Sequence, residues 1–161
     1  MKDKDLLKLA KKEVEKLEEL LEVESDVSVD IEEGEEGVLY VKVAFEGEEL
    51  GYMIGNRGRH LDSLQYILQI LLGRQMSDED RENFRVFVDV GGYRKEKDDQ
   101  IASMALQKAD DARILGEAVE LPPMKPSDRR IVHLTLIKFK DITTESEGEG
   151  MDRHIVIRAV K

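Results

Sequence analysis

Residues 50–73 have the sequence LGYMIGNRGRHLDSLQYILQILLG, and this stretch decides the fold of the first half of the chain. A short apolar segment comes first, followed by a basic turn at residues 55–58 and a long run of apolar residues at helical spacing. The turn begins with Gly55 and ends with Gly58, which leave out side chains where a backbone needs room or a positive φ. The pattern predicts two helices joined by a tight turn.

The turn at residues 55–58 has the features of a phosphate site. Arg57 and Arg59 place positive charge beside the glycines, and the following helix points its unpaired N–H groups and positive dipole end toward the same place. A second Gly-x-x-Gly stretch, at residues 34–37, carries two glutamates that would repel phosphate, so the spacing alone has little value. The alternative that residues 55–58 are only a helix–helix turn remains open at this point.

The distribution of charge is more informative than its total. The chain has 161 residues and a formal net charge of -11, which on average repels nucleic acid and anionic membranes. Residues 1–50 carry 7 Lys and Arg against 17 Asp and Glu, whereas residues 125–161 carry 8 against 6. The absence of cysteine excludes disulfides and thiol catalysis, and no apolar run approaches the ~18 residues of a membrane span. The second half of the chain can therefore present basic surfaces, and we expect no membrane insertion.

Hydrophobic periodicity around residues 50–73 predicts a first domain with the order helix–strand–strand–helix–helix–strand. The remaining elements of this order are a helix over residues 5–21, strands over 27–31 and 38–45, and a strand over 84–90. Residues 77–83 are polar, and Gly91 and Gly92 mark the expected domain boundary. The apolar residues of the long helix that are predicted to be core are Leu64, Tyr66, Ile67, Ile70 and Leu71.

The second half predicts a smaller α+β domain. Its expected elements are a helix over residues 93–117, an extended linker over 119–123, a helix over 126–139, a turn-rich acidic loop over 143–150 and a strand over 154–160. Pro126 suits the first position of a helix, and Asp128 suits its first turn. The residues expected on the packing side of the first of these helices are Ile101, Met104, Ala105, Ala112 and Leu115.

Arg129 and His133 form the second candidate site. Residues four apart on a helix share one face, so a guanidinium and an imidazole stand side by side. Arginine offers a planar fork for phosphate, and histidine adds a hydrogen-bond donor and a flat ring. The alternative is that His133, which Leu136 and Ile137 flank on the helix, is a hydrogen-bonded structural histidine.

The first domain, residues 1–91, resembles a type II KH domain, in which the Gly-x-x-Gly loop clamps the backbone of single-stranded nucleic acid. The resemblance implies phosphate contacts by Gly55, Asn56, Arg57 and Gly58, with Arg59 beside them. It also implies an apolar floor under the bases, formed by Ile54, Leu61 and Leu64, with strand residues near Val86 and Val88 behind it.

The second domain, residues 92–161, resembles an R-three-H domain through the stretch KPSDRRIVHLTL at residues 125–136. That family is named for its Arg–His pair and is associated with single-stranded nucleic acid. The resemblance implies that the nucleic-acid contacts of this domain come from Lys125, Arg129, Arg130 and His133.

A KH domain followed by an R-three-H domain resembles the bacterial Jag family, also called the SpoIIIJ-associated or KhpB family. The resemblance implies a cytoplasmic protein that binds single-stranded RNA (or DNA), acts as an RNA chaperone or post-transcriptional regulator linked to cell elongation and the envelope, and pairs with a small KhpA-like KH protein. No cofactor, metal or catalytic residue is expected. The extra N-terminal Jag domain of many members is expected to be missing, because residues 5–21 form the first KH helix. A protein-interaction adaptor that uses the KH fold for pairing is the alternative function.

Overall fold

The structure, a computed structural model, describes residues 3–160. The chain divides into two compact units, residues 1–93 and 94–161, each with a hydrophobic core of its own. The sequence-based limits of 1–91 and 92–161 place the boundary at Gly91 and Gly92, directly before the helix that starts at Tyr93. Those limits stay a prediction.

The first unit has the helix and strand order of a type II KH domain. Its elements are α1 (Asp3–Leu21), β1 (Asp26–Glu33), β2 (Leu39–Glu46), α2 (Gly51–Ile54), α3 (Arg59–Gly73), α4 (Asp78–Glu82) and β3 (Phe84–Val90). The sheet order is β1-β2-β3, with β1 and β2 antiparallel and β2 and β3 parallel. The parallel pair requires a long crossover, which α2, α3 and α4 supply. The predicted fold is confirmed.

The core of the first unit is built from the inner face of the sheet and one stripe on each long helix. Period-two alternation buries Val41, Val43 and Phe45 of β2, because successive side chains of a strand point to opposite faces. Helical spacing buries the stripe Leu6, Ala10, Val14 and Leu17 on α1 and the stripe Leu61, Leu68 and Leu72 on α3.

Two glutamines of α3 cover the outer edge of β3. The side-chain oxygen of Gln69 accepts a hydrogen bond from the backbone N–H of Val86 at 2.8 Å, and that of Gln65 accepts one from Val88 at 3.2 Å. Because an uncovered strand edge can pair with another chain, these bonds close β3 to further strand addition. They also fix the rotation of α3 about its own axis.

The predicted burial of Tyr66, Ile67 and Ile70 was wrong. Their side chains are 67%, 43% and 42% exposed, respectively, while Leu64 and Leu71 are half-buried. The helix has more apolar residues than its buried stripe can accommodate, since the adjacent face is occupied by Gln65 and Gln69. We call Tyr66, Ile67 and Ile70 the α3 patch.

The polar segment at residues 77–83 forms the short helix α4. Ser77 is its N-cap, and its hydroxyl oxygen accepts a hydrogen bond from the backbone N–H of Asp80 at 3.2 Å. The same hydroxyl donates to the Asp80 carboxylate at 2.7 Å. A serine followed three residues later by an acidic side chain is a known signature of a helix start, so the sequence contained this signal.

The second unit contains α5 (Tyr93–Leu115), β4 (Val119–Glu120), α6 (Pro126–Leu136), β5 (Ile142–Glu147) and β6 (His154–Ala159). The first residue of α5, Tyr93, belongs to the first unit. Its antiparallel sheet has the order β4-β6-β5. The helix α5 buries Ala105, Ala109 and Ala112, whose small side chains allow close packing. Val132 and Leu136 of α6 and Ile155 and Ile157 of β6 complete the core.

Four predictions in this unit were wrong in part. The expected acidic loop over residues 143–150 is mostly strand β5, in which Glu145 and Glu147 both pair with Arg158 of the neighbouring strand at 2.8 Å. The expected linker over 119–123 begins with β4, which pairs with β6. The helix α6 ends at Leu136 rather than near 139, and Leu115 is exposed rather than packed.

A buried carboxylate ties α1 to the segment that follows α3. Glu13 is 4% exposed and accepts hydrogen bonds from Lys16 at 2.7 Å and from the side chain of Gln75 at 3.1 Å. The hydrogen bond from Lys16 lowers the pKa of Glu13 below the usual value, despite the opposing effect of burial. A depressed pKa means that ionised Glu13 stabilises the folded state at neutral pH and loses this contribution as pH falls through its folded pKa.

We expect Glu13→Gln to lower the free energy of unfolding at pH 7 by on the order of 1 kcal/mol, because a charged hydrogen bond becomes neutral. The difference from the parent protein should shrink as the pH falls below the ordinary glutamate range of about 4.3. Urea denaturation across that range measures this. Glu15→Gln, at an exposed position of the same helix, is the control; a Glu13→Gln deficit that stays constant with pH contradicts the assignment.

Candidate nucleic-acid interface

The loop between α2 and α3 turns through conformations that favour glycine. Gly55 has φ 70° and ψ −172°, and Gly58 has φ 80° and ψ 15°. A 3-10 turn over Asn56–Gly58 completes the connection. The N–H of Gly55 donates to the carbonyl of Gly51 at 3.1 Å, and that of Gly58 donates to the carbonyl of Gly55 at 3.4 Å. Both glycines are therefore required by the turn itself.

Arg57 has the left-handed conformation as well, with φ 55° and ψ 29°. This costs a residue with a Cβ about 1–2 kcal/mol, a cost that glycine would avoid. Arg57 and Asn56 are both exposed. Glu22, Glu36 and Glu49 also have positive φ, so the strain alone does not mark a site, and the candidate role of Arg57 rests on its exposed charge at the start of α3.

The positive end of α3 lies directly behind the loop. Gly58 is the N-cap of α3 and offers no side chain to cap it, so the first N–H groups of the helix lack a side-chain acceptor at that position. Arg59, the first helical residue, is exposed. Asp62 also lies in the first turn, so the site is not uniformly basic. Together the N–H groups and Arg59 favour an anion at the loop.

The three residues predicted to form the apolar floor occupy different depths. Ile54 and Leu64 are half-buried and pack against the core of the first unit, so part of each side chain remains at the surface. Leu61 is fully buried, as are Val86 and Val88 of β3. The surface part of the predicted floor thus consists of Ile54 and Leu64, with Leu61 supporting them from the core.

The acidic Gly-x-x-Gly stretch forms a turn with a closely similar backbone. It joins β1 to β2 through a 3-10 turn over Glu35–Gly37. Glu36 has φ 59° and ψ 20°, close to the values of Arg57. The first glycine differs, because Gly34 has a φ of −97°. The second turn is therefore an internal control for backbone shape without the helix end or the positive charge.

The second candidate site lies on α6, whose start is fixed to α5. Pro126 is the first helical residue and Lys125 the N-cap, as the sequence predicts. Asp128 in the first turn is buried and pairs with Lys97 of α5 at 2.9 Å. This ion pair is largely shielded from water. It therefore fixes the start of α6, and with it the position of the next residue, Arg129.

His133 is held by a strand that the sequence did not predict. Its Nδ1 lies 2.6 Å from the hydroxyl oxygen of Thr144 in β5. Arg129 and His133 are both half-buried and lie four residues apart on α6, so they share a face. The hydrogen bond to Thr144 agrees with the structural alternative for His133, but it also orients the ring and leaves Nε2 for a ligand. Both interpretations therefore remain.

Other polar groups of the second unit accompany this pair. Arg130 is exposed, and Lys125 is half-buried. Arg153 donates from Nε to the hydroxyl of Ser146 at 2.9 Å. Thr144 and Ser146 lie two residues apart on β5, so they share one face of the strand. The sequence analysis predicted a loop there and therefore did not identify them. Within residues 3–160, no group of three or more His, Asp or Glu side chains is placed to hold a metal ion.

Comparison with known proteins agrees with the two units. Residues 11–88 match the family model of the KhpA/KhpB KH domain, and residues 98–159 match that of the R-three-H domain. The RNA-binding protein KhpB of Clostridium symbiosum is 33% identical over 152 residues, which cover 92% of this chain and 65% of that protein. The RNA-binding protein KhpB of Bacillus subtilis is 31% identical over 155 residues, which cover 95% of this chain and 70% of that protein.

The chain belongs to the KhpB family. It spans about two thirds of the length of these two KhpB proteins, and its match to the RNA-binding protein KhpB of Lactiplantibacillus plantarum, at 28% identity, covers 40% of that protein. None of these names is that of an enzyme. Among residues 3–160 of this chain, no helix has the length and apolar content to cross a membrane.

Comparison of the turns at residues 34–37 and 55–58 can separate the effect of the charge of Arg57 from the effect of its strained backbone. We expect Arg57→Gly and Glu36→Gly each to leave the free energy of unfolding unchanged or to raise it by up to about 1 kcal/mol, because both relieve a left-handed residue. Only Arg57→Gly should weaken the binding of a single-stranded RNA, with a smaller salt dependence. Thermal melts and fluorescence anisotropy measure the two effects. Equal RNA affinity for both variants excludes Arg57 as a phosphate contact.

Proposed function

We propose that this KhpB family member binds single-stranded RNA in the cytoplasm as an RNA chaperone or post-transcriptional regulator, and that its two units each hold part of the strand. The observation that carries the proposal is Arg57, an exposed cation in a strained backbone position at the uncapped start of α3. The names of the relatives, RNA-binding protein KhpB, favour RNA over DNA. The proposed activity is binding, without catalysis.

In the first unit, the loop would hold the phosphate backbone while the bases lie along the adjacent surface. Backbone N–H groups at the start of α3 and the side chains of Arg57 and Arg59 supply the phosphate contacts. Ile54 and Leu64 supply partly exposed apolar surface for the bases. No aromatic residue is among these predicted groove residues, so shape and base-edge hydrogen bonds contribute more than stacking.

In the second unit, the Arg129–His133 face of α6 would hold a second stretch of the strand. Arg129 offers two parallel N–H donors to a phosphate. His133, with Nδ1 bound to Thr144, directs its remaining nitrogen and its ring to the ligand. The half-burial of both side chains limits their motion, which reduces the entropy lost on binding.

A gel shift or anisotropy titration of a labelled, mixed-sequence RNA with the double variant Asn56→Asp/Arg57→Asp tests the first unit. We expect affinity to fall by at least about tenfold, equivalent to ~1.4 kcal/mol, with an unchanged melting temperature, since both side chains are exposed. Binding equal to that of the parent protein would falsify the loop as the RNA site.

A parallel arm tests the second unit with Arg129→Ala/His133→Ala. Loss of affinity supports a second phosphate site, whereas parental affinity establishes His133 as structural. Thr144→Val is the matched variant, because it removes only the hydrogen bond that orients His133. We expect it to weaken binding less than the double variant. A single-stranded DNA of the same sequence, titrated beside the RNA, determines whether the 2′-hydroxyl matters.

The α3 patch supports a second function, pairing with a small KH protein of the KhpA type. One family model describes the KH domains of both KhpA and KhpB, so such a partner would offer a related helix face. The edge of β3 is closed by Gln65 and Gln69, and strand β1 is acidic with the sequence DVSVDIEE. The α3 patch is therefore the better candidate for pairing than either strand edge.

Ile67→Asp tests this pairing, because a charge in an apolar interface is left without a partner. We expect it to abolish a complex with the KhpA-like protein of the same organism in size-exclusion chromatography, while RNA affinity stays unchanged. Ile114→Asp, at an exposed apolar position of α5, is the control and should leave the complex intact. A complex that survives Ile67→Asp rules out the α3 patch as its interface.

A further inference from the structure

Each glycine of the loop at residues 55–58 lies against an aromatic ring. A Cβ on Gly55 would overlap the ring of His60, lying 2.7 Å from Nδ1 and closer still to Cγ. A Cβ on Gly58 would lie 3.0 Å from Cε1 of Tyr93. The two glycines therefore leave space for rings that the protein itself provides, in addition to permitting the positive φ angles of the turn.

The ring of His60 spans the loop from one helix to the other. His60 is the second residue of α3, and its Nδ1 lies 2.6 Å from the backbone carbonyl of Tyr52 in α2. A carbonyl only accepts hydrogen bonds, so Nδ1 carries the proton and donates. This bond joins the residues before the loop to those after it, with Gly55 packed beneath the ring.

The ring of Tyr93 supports the other end of the loop. Gly58 is buried, and Tyr93 packs against the hydrophobic core of the first unit. Tyr93 follows β3 and the turn at Gly91 and Gly92, so it reaches the loop from outside α2 and α3. Asn56 and Arg57, between the two supported glycines, remain exposed.

We propose that His60 and Tyr93 are positioning residues of the RNA-binding loop, holding residues 55–58 in the binding conformation without contacting phosphate themselves. This inference rests on the proposed function. The left-handed Arg57 would favour relaxation of the loop, and a relaxed loop would have to be ordered again at a cost in affinity. Two rings that fill the space over both glycines prevent that relaxation.

Tyr93→Leu and Tyr93→Phe test the ring of Tyr93. We expect Tyr93→Leu to weaken RNA binding about three- to tenfold without changing the salt dependence, since the number of phosphate contacts, each worth a slope of about 0.7 for single strands, is unchanged. Tyr93→Phe should bind like the parent protein, because the closest contact is through the ring carbon. Parental affinity for Tyr93→Leu, or no recovery in Tyr93→Phe, overturns the proposal for Tyr93.

His60→Leu and His60→Asn test the hydrogen bond by which His60 spans the loop. The exposed position of His60 leaves folding intact, and asparagine can still donate a hydrogen bond to the Tyr52 carbonyl. We expect weaker binding with an unchanged salt slope for His60→Leu, and recovery of most of the affinity for His60→Asn. A salt slope reduced by about 0.7 in His60→Leu would show that His60 contacts a phosphate, which overturns the positioning role.

Amide hydrogen exchange of residues 56–59 in the RNA-free protein separates this proposal from the proposed function. We expect faster exchange in Tyr93→Leu and His60→Leu than in the parent protein and in Tyr93→Phe. If exchange accelerates but neither the parent protein nor the Arg57 variants show RNA binding, the proposed function fails, and only the ordering of the loop by the two side chains stands. If exchange is unchanged, the positioning role fails, whatever the RNA affinity.

Discussion

Four residues connect α2 to α3, and this short connection constrains the whole candidate site of the first unit. A turn of this length needs positive φ at residues 55, 57 and 58. Glycine satisfies the requirement at Gly55 and Gly58, and it leaves room for the rings of His60 and Tyr93. Arginine occupies the third position at an energetic cost. The connection therefore places a cation, two fixed backbone turns and the N-terminus of α3 within a few residues of one another.

The acidic turn at residues 34–37 shows what backbone geometry contributes and what it does not. Glu36 and Gly37 have nearly the same φ as Arg57 and Gly58, yet they join two strands and carry negative charge. An anion site needs the dipole and free N–H groups of a helix start as well as the turn. The net charge of -11 is compatible with such a site, because nearly all of it comes from residues 1–50, where 17 acidic residues face 7 basic ones, so residues 55–59 can still present a local positive charge.

The sequence predicted the first unit well because its elements are strongly periodic and consecutive, whereas the second unit depended on pairings between distant residues. Strand β5 carries Thr and Glu where a strand usually carries large apolar residues, and Arg158 on β6 pairs with both of its glutamates. No local sequence pattern indicates that contact. On α3, the prediction placed too many apolar residues in the core, because one face of the helix is used by Gln65 and Gln69 to bind the edge of β3. The residues at 55–58, 129 and 133 followed from motif and context, but their supports, Tyr93 and Thr144, lie in other elements and required the fold.

The supports are similar in the two units. In each, a residue of the candidate site is supported by a side chain from another element: Gly58 by Tyr93, and His133 by Thr144. Each candidate site offers few cations, and each phosphate contact weakens as salt rises, so the proposed function implies modest binding by one unit alone. Two rigid, weak sites on one chain gain affinity from effective concentration once the first is occupied. Rigidity then matters more than the number of charges, because the second site must meet the strand without a further ordering cost. An acidic chain can in this way hold an anionic polymer at two small, well-supported places while the rest of its surface repels it.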